Sequence, residues 1–150
     1  MRKKIAILGS TGSIGKSTLE IIRKDKKNFD VILLSANNNY KKLIQQARDF
    51  NVKNVLINNK SFYEKVKNSL KKNKIKVFSG NISITNIISG RLDYIMSAIV
   101  GLAGLQPTVD SIKISKNVAI ANKETIICGW HILSKLKKKH KTNIFPVDSE

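Results

Sequence analysis

The chain has 150 residues, 28 Lys and Arg against 10 Asp and Glu, a formal net charge of +18 and a hydrophobic content of 41%. That is room for one ordinary domain with a real core. Its apolar runs, such as Ile5 to Leu8 and Val31 to Leu34, fall far short of the roughly 20 residues that span a bilayer. The single cysteine, Cys128, excludes an internal disulfide and suits a reducing compartment. The basic start, Arg2 to Lys4, runs straight into a stretch too short for a secretory signal. A cytoplasmic protein with no membrane segment is expected.

The elements alternate from the first residues. Lys4 to Leu8 reads as a strand buried on both faces of a parallel sheet. A glycine-rich turn follows, then a helix with Ile14, Thr18, Leu19, Ile21 and Ile22 at helical spacing. Phe29 to Ala36 is a second strand, and Tyr40 to Phe50 a helix with Leu43, Ile44 and Ala47 inward. Val52 to Ile57 is a third strand. Lys60 to Leu70 is a helix with Phe62, Val66 and Leu70 on one face. Lys74 to Phe78 is a fourth strand, and Ser83 to Ser89 a short helix. Asp93 to Val100 is a fifth strand leading to a loop with Gly101 and Gly104. Pro107 then sits near the first turn of a helix, where its missing N–H costs nothing. Val118 to Ala121 is a sixth strand. Asn122 caps a helix whose apolar stripe is Ile126, Ile127, Trp130, Leu133 and Leu136, with Cys128 as a small core residue. Thr142 to Val147 is a seventh strand. Repeated strand–helix–strand units imply a doubly wound, Rossmann-type α/β domain: a parallel sheet with right-handed crossovers and helices on both faces, covering residues 1–150.

The strongest local motif is Gly9-Ser10-Thr11-Gly12-Ser13-Ile14-Gly15, between a strand and a helix. This is the context that a phosphate-binding turn requires. Gly9 permits the sharp turn, Gly12 leaves room for a pyrophosphate, and Gly15 lets helix and strand pack closely. Free N–H groups at the helix start, with the hydroxyls of Thr11 and Ser13, are the donors. The G-x-x-G-x-x-G spacing is common among NADP reductases. The second strand ends Ser35-Ala36-Asn37-Asn38-Asn39 without the acid that an NAD site places there for the ribose 2′-hydroxyl, and Lys41 and Lys42 follow. NADP is therefore favoured over NAD.

Two later segments belong at the same edge, beyond the carboxyl ends of the strands: Asn122-Lys123-Glu124 and Asp148-Ser149-Glu150. On an extended strand Asp148 and Glu150 point the same way and offer hard oxygen ligands to a divalent cation. The large positive charge reads as compositional drift rather than a nucleic-acid surface. Arginine, which makes the bidentate contacts, is scarce, and aromatics do not interleave the lysines. His131 and His140 read as surface or packing residues, and Trp130 as part of an apolar stripe.

Taken together, Ile7 to Gly15, Met96 to Gly101 with Ala103-Gly104-Leu105 and Pro107-Thr108, Ala121 to Glu124, and Pro146 to Glu150 resemble the N-terminal, NADPH-binding region of the 1-deoxy-D-xylulose 5-phosphate reductoisomerases. The likeness runs the length of the chain. It implies an NADP-dependent oxidoreductase using Mg²⁺, Mn²⁺ or Co²⁺. Such an enzyme rearranges 1-deoxy-D-xylulose 5-phosphate to a branched aldehyde and reduces it to 2-C-methyl-D-erythritol 4-phosphate, in non-mevalonate isoprenoid biosynthesis. By the same likeness Thr11, Gly12, Ser13 and Ile14 hold the pyrophosphate, and Asn37, Asn38 and Asn39 line the 2′-phosphate end. Asn122 and Glu124 contact the cofactor. Lys123, Ser149 and Glu150 touch the phosphorylated sugar, and Asp148 and Glu150 bind metal. Members commonly carry Gly then Lys or Arg where this chain has Asn37 and Asn38, so a lysine at 41 or 42 would have to serve the 2′-phosphate. The family has a further catalytic region, which brings a third metal carboxylate, and a C-terminal helical domain. The 150 residues are thus expected to bind NADPH without turnover, and the longer protein to be a homodimer. The alternatives are another NADP-dependent oxidoreductase with this turn or, more remotely, a basic nucleic-acid-binding module. A short-chain dehydrogenase is disfavoured, because none of Tyr40, Tyr63 and Tyr94 has a lysine four residues on.

Overall fold

A computed structural model describes residues 1–148 of the chain. Its strands are β1 (Lys3–Leu8), β2 (Phe29–Ala36), β3 (Asn54–Ile57), β4 (Lys76–Ser79), β5 (Tyr94–Ser97), β6 (Asn117–Ile120) and β7 (Asn143–Pro146). Its α-helices are α1 (Ser13–Lys24), α2 (Tyr40–Asp49), α3 (Tyr63–Leu70), α4 (Leu105–Ile114) and α5 (Lys123–His140). All paired strands run parallel, in the order β4-β3-β2-β1-β5-β6-β7. The order reverses between β1 and β5, which opens a crevice above their carboxyl ends, where open α/β sheets take their ligands.

Each strand is short and apolar because both of its faces are covered. Ile7, Leu8, Leu33, Leu34, Ile57, Ile95 and Ile120 are all essentially inaccessible to solvent. One core joins alternate strand residues to Leu19 and Ile22 of α1, Leu43 and Ala47 of α2, and Val66 and Leu70 of α3. The other joins the remaining strand residues to Ile84 and Ile88, Ile112 of α4 and Leu133 of α5. The period-two alternation of a strand thus divides its side chains between two helical layers.

Several expected elements change. The segment 83–89 contains only a 3₁₀ turn, Ile84–Asn86, capped by the Ser83 hydroxyl. It uses Ile84 and Ile88 to plug the core where a full helix would stand. The fifth strand stops at Ser97, because Ala98 to Gly101 leave the sheet to wall the crevice. On α1, Ile21 faces solvent.

The inward stripe of α5 is Thr125, Gly129 and Leu133, flanked by the half-buried Ile126 and Leu136. At 100° per residue this stripe turns Ile127, Cys128 and Trp130 outward, and all three are exposed. Cys128 is therefore not a core residue, and Trp130 and Ile127 lie outside the buried stripe. No helix among the described residues is long and apolar enough to cross a membrane.

Candidate functional site

The glycine turn leaves β1 at the crevice. Gly9 has φ +78°, and a Cβ there would lie 2.6 Å from the Ala98 carbonyl oxygen. This turn and the end of β5 touch backbone to backbone. A Cβ on Gly15 would overlap the Gly9 carbonyl oxygen and sit 2.6 Å from Ser10 Cα. The fold itself therefore requires both glycines. Gly12 differs: its φ of −77° suits any residue, and a Cβ would meet only the Gly9 oxygen, at 3.6 Å. The space beside Gly12 is useful only to something that approaches from outside.

Gly12 is also the N-cap of α1, with no side-chain cap bond and no acid in the first turn. The first-turn N–H groups and the positive end of the helix dipole are thus presented to the crevice unscreened. Thr11 is half-buried and Ser13 exposed at its rim. These residues could cradle a pyrophosphate on main-chain donors.

The turn is held from behind by side chains that sequence spacing does not single out. The Ser35 hydroxyl, at the end of β2, accepts from Gly9 N–H (3.1 Å), and Ser10 N–H donates to the Ser35 carbonyl (2.8 Å). Gln46 of α2 closes a two-bond clasp on Ser10. Its Oε1 accepts the Ser10 hydroxyl at 2.8 Å, and its Nε2 donates to the Ser10 carbonyl at 2.9 Å. Ser10, Ser35 and Gln46 are all buried. The available signal was Gln46 itself, an amide on the inward face of an amphipathic helix between Leu43 and Ala47, since a buried amide has to find partners.

Asn37, Asn38 and Asn39 follow β2 and are exposed. Asn39 caps α2, its side chain accepting from Lys42 N–H at 3.2 Å. Asn38 Oδ1 accepts from Asn59 Nδ2 at 2.9 Å, and Asn59 N–H donates to the Asn37 carbonyl. The turns after β2 and β3 are therefore stitched into one ledge. Lys41 projects from it into solvent, whereas Lys42 reaches back to Gln45.

The opposite wall is built on Asn122. Its Oδ1 accepts from Glu124 and Thr125 N–H, capping α5, and its Nδ2 donates to the Ile99 and Gly101 carbonyls at 2.7 and 2.6 Å. All four bonding positions of the amide are used, and the residue is buried. The Asn122 side chain thus braces this wall. A hydroxyl pair, Ser97 and Thr108 at 2.7 Å, with Thr108 donating to the Gly104 carbonyl, supports the same wall. Lys123 and Glu124 are exposed at the start of α5. Val147 N–H donates to the Ile120 carbonyl, which sets Asp148 beside the end of β6. The expected metal and substrate residues Ser149 and Glu150 lie outside the described residues. Among the described residues no group of three His, Cys, Asp or Glu could hold a metal ion.

The strand order, the switch-point crevice and the glycine turn define a Rossmann-type domain with a phosphate-binding kind of turn. The sequence matches the family model for 1-deoxy-D-xylulose 5-phosphate reductoisomerase over residues 5–129. The reductoisomerase of Pelagibacter ubique is 53% identical over 150 residues, 99% of this chain and 39% of that protein. The solved reductoisomerase of Zymomonas mobilis in complex with NADPH has 35% identity and a TM-score of 0.93, covering 100% of this chain and 40% of its own. A reductoisomerase solved with NADPH, fosmidomycin and magnesium has 29% identity and a TM-score of 0.86, over 96% of this chain and 36% of its own. This chain belongs to the 1-deoxy-D-xylulose 5-phosphate reductoisomerase family and spans about two fifths of the length of these relatives.

Proposed function

We propose that the chain is the NADPH-holding part of an enzyme that converts 1-deoxy-D-xylulose 5-phosphate to 2-C-methyl-D-erythritol 4-phosphate. The observation that carries this reading is the uncapped N-terminus of α1, with open space beside Gly12, at the point where the strand order reverses. When bound, NADPH would supply the hydride, and a divalent metal (Mg²⁺, Mn²⁺ or Co²⁺) would polarise the substrate carbonyl. The residues of this chain bind and orient. Ser13 and Ile14 N–H, with the Thr11 and Ser13 hydroxyls, hold the pyrophosphate against Gly12. The ledge of Asn37, Asn38 and Asn39 receives the 2′-phosphate, with Lys41 as the nearby cation. Asn122, whose side chain fixes the loop 99–101, and Glu124 contact the cofactor. Lys123 faces the sugar phosphate together with Ser149 and Glu150, and Asp148 and Glu150 form the metal pair. In its longer form the protein is a cytoplasmic homodimer, while residues 1–150 alone bind NADPH without turnover.

Gly12→Asp tests this reading by opposing two effects. An aspartate at an N-cap stabilises a helix by about 0.5–2 kcal/mol relative to a residue that cannot cap, though by only a few tenths relative to Gly. The variant should therefore melt no lower than the parent. The same carboxylate repels a pyrophosphate, so the NADPH dissociation constant should rise at least about tenfold, a loss of about 1.4 kcal/mol. Unchanged NADPH binding by a folded Gly12→Asp chain, measured by isothermal titration calorimetry, would overturn the site assignment.

A further inference from the structure

The ledge after β2 and β3 is made of amides. Asn37, Asn38, Asn39 and Asn59 offer hydrogen bonds but no charge, whereas a phosphate monoester carries about −1.5 to −2 of charge at pH 7. A cation held in place beforehand serves such a group best, because ordering a free lysine stem costs entropy. The lysines around the ledge differ in this respect. Lys41 projects into solvent, and Lys42 bonds to Gln45. The Lys60 stem lies against Gly80, after β4, on the side of β3 away from β2.

Lys65 is held. Beside the Asn38–Asn59 hydrogen bond, the same two turns are joined by the rings of Tyr40 and Phe62, stacked with centroids 4.6 Å apart and planes at 27°. Lys65, three residues past Phe62 in α3, lays its ammonium over both rings, 5.4 Å from the Tyr40 centroid and 5.7 Å from that of Phe62. Ring faces attract a cation at this range. None of the ion pairs among the described residues engages Lys65, so no carboxylate there neutralises it. It also stands in the first turn of α3, where the helix dipole disfavours a cation. Helix stability therefore does not account for a lysine at this position. We infer that Lys65, seated on the Tyr40–Phe62 ring pair, is the cation that pairs with the 2′-phosphate and sets the preference for NADPH over NADH. The inference rests on the cofactor reading above and deepens it. The charge comes from α3 rather than from the turn after β2, and the Asn38–Asn59 bond keeps the two turns together. Lys41, unrestrained, adds attraction at longer range.

Isothermal titration calorimetry of the chain with NADPH and with NADH tests this. The parent should bind NADPH more tightly. Lys65 is exposed, so Lys65→Gln should leave the melting temperature nearly unchanged. It should raise the NADPH dissociation constant at least about tenfold, as expected for a lost bond to a charged group, and that for NADH less than about twofold. Lys65→Arg keeps the charge and stacks on aromatic rings, so NADPH binding should stay within about threefold of the parent. Tyr40→Leu, which removes one ring of the seat, should weaken NADPH alone by about threefold. Lys41→Gln should do less than Lys65→Gln. Unchanged NADPH binding by Lys65→Gln, an equal loss for both cofactors, or a larger selective loss from Lys41→Gln overturns the inference. So does a parent that binds both cofactors equally, although the pyrophosphate site at Gly12 would then stand. A parent that binds neither cofactor removes the cofactor reading, and this inference with it. Gly12→Asp should weaken NADPH and NADH alike, which separates the two sites.

Discussion

The two walls of the crevice are built in opposite ways. The wall from β1 and α1 meets the ligand space with bare main chain and keeps its side chains behind, where Ser35 and Gln46 fix the position of Ser10. The wall from β5, β6 and α5 is an irregular loop, and one side chain, Asn122, ties its carbonyls to a helix start. The first is rigid because glycines let backbones touch. The second is rigid because an amide satisfies four partners. A residue near a ligand can thus matter as a brace, and its identity alone does not say which role it has.

The difference can be broken most severely at Gly15. Gly15→Val puts a branched side chain into the Gly9 carbonyl and Ser10 backbone. Overpacking of this kind, without freedom to relax, should cost at least about 3 kcal/mol, seen as loss of a cooperative melting transition or a large drop in its midpoint. Asn122→Ala comes next. It removes a cap worth about 1 kcal/mol and strands two carbonyls at roughly 1–3 kcal/mol each if buried. A total loss near 2–4 kcal/mol in urea unfolding, with weaker NADPH binding, would confirm the bracing role. A variant that keeps parental stability and loses only NADPH affinity would make Asn122 a direct contact instead.

Gln46→Leu should cost less, about 1–2 kcal/mol, since Ser10 keeps its main-chain bond to Ser35 while losing the clasp. It sharpens the comparison if NADPH affinity falls although no ligand reaches that buried site. The smallest effect is expected at the amino ends of the strands, away from the crevice. There the Asp93 carboxyl is held below its ordinary value by the hydrogen bond from Lys116 and by Lys4 N–H. A carboxylate whose folded value is lowered contributes stability above its unfolded value of about 4, and loses it as pH falls through the folded value. Asp93→Asn should therefore lower the melting temperature slightly at pH 7, show no difference from the parent near pH 2, and leave NADPH binding alone. A difference that persists at pH 2 would mean that the side chain's shape matters rather than its charge.

What was legible in the sequence follows from locality. The strand–helix alternation and the glycine turn are written in contiguous residues, so the doubly wound fold and the Gly9–Gly15 turn are legible directly. The clasp between Ser10 and Gln46 spans 36 positions and depends on how α2 lies on the sheet, which no local pattern encodes. The sequence makes the stripe of α5 look wider than it is for a similar reason. Ile127 and Trp130 are apolar, but Gly129, which brings α5 against Leu105 of α4, fixes the helix rotation and leaves them outside. The shortened fifth strand was hidden because Ile99 and Val100 are good strand formers that the crevice wall takes for itself. The proposed metal pair is Asp148 with Glu150, and Glu150 lies outside the described residues.

The turn after β1 also bears on how such a chain tolerates change. Peptide amides are present whatever the side chains are, so a chain can accumulate lysine, asparagine and isoleucine across its surface without eroding the main-chain donors of the proposed diphosphate site. Within this turn the vulnerable target shrinks to the few codons for Gly9, Gly12 and Gly15, among the chain's 8 glycines. Damage at Ser35 or Gln46 reaches this turn only by shifting the scaffold beneath it.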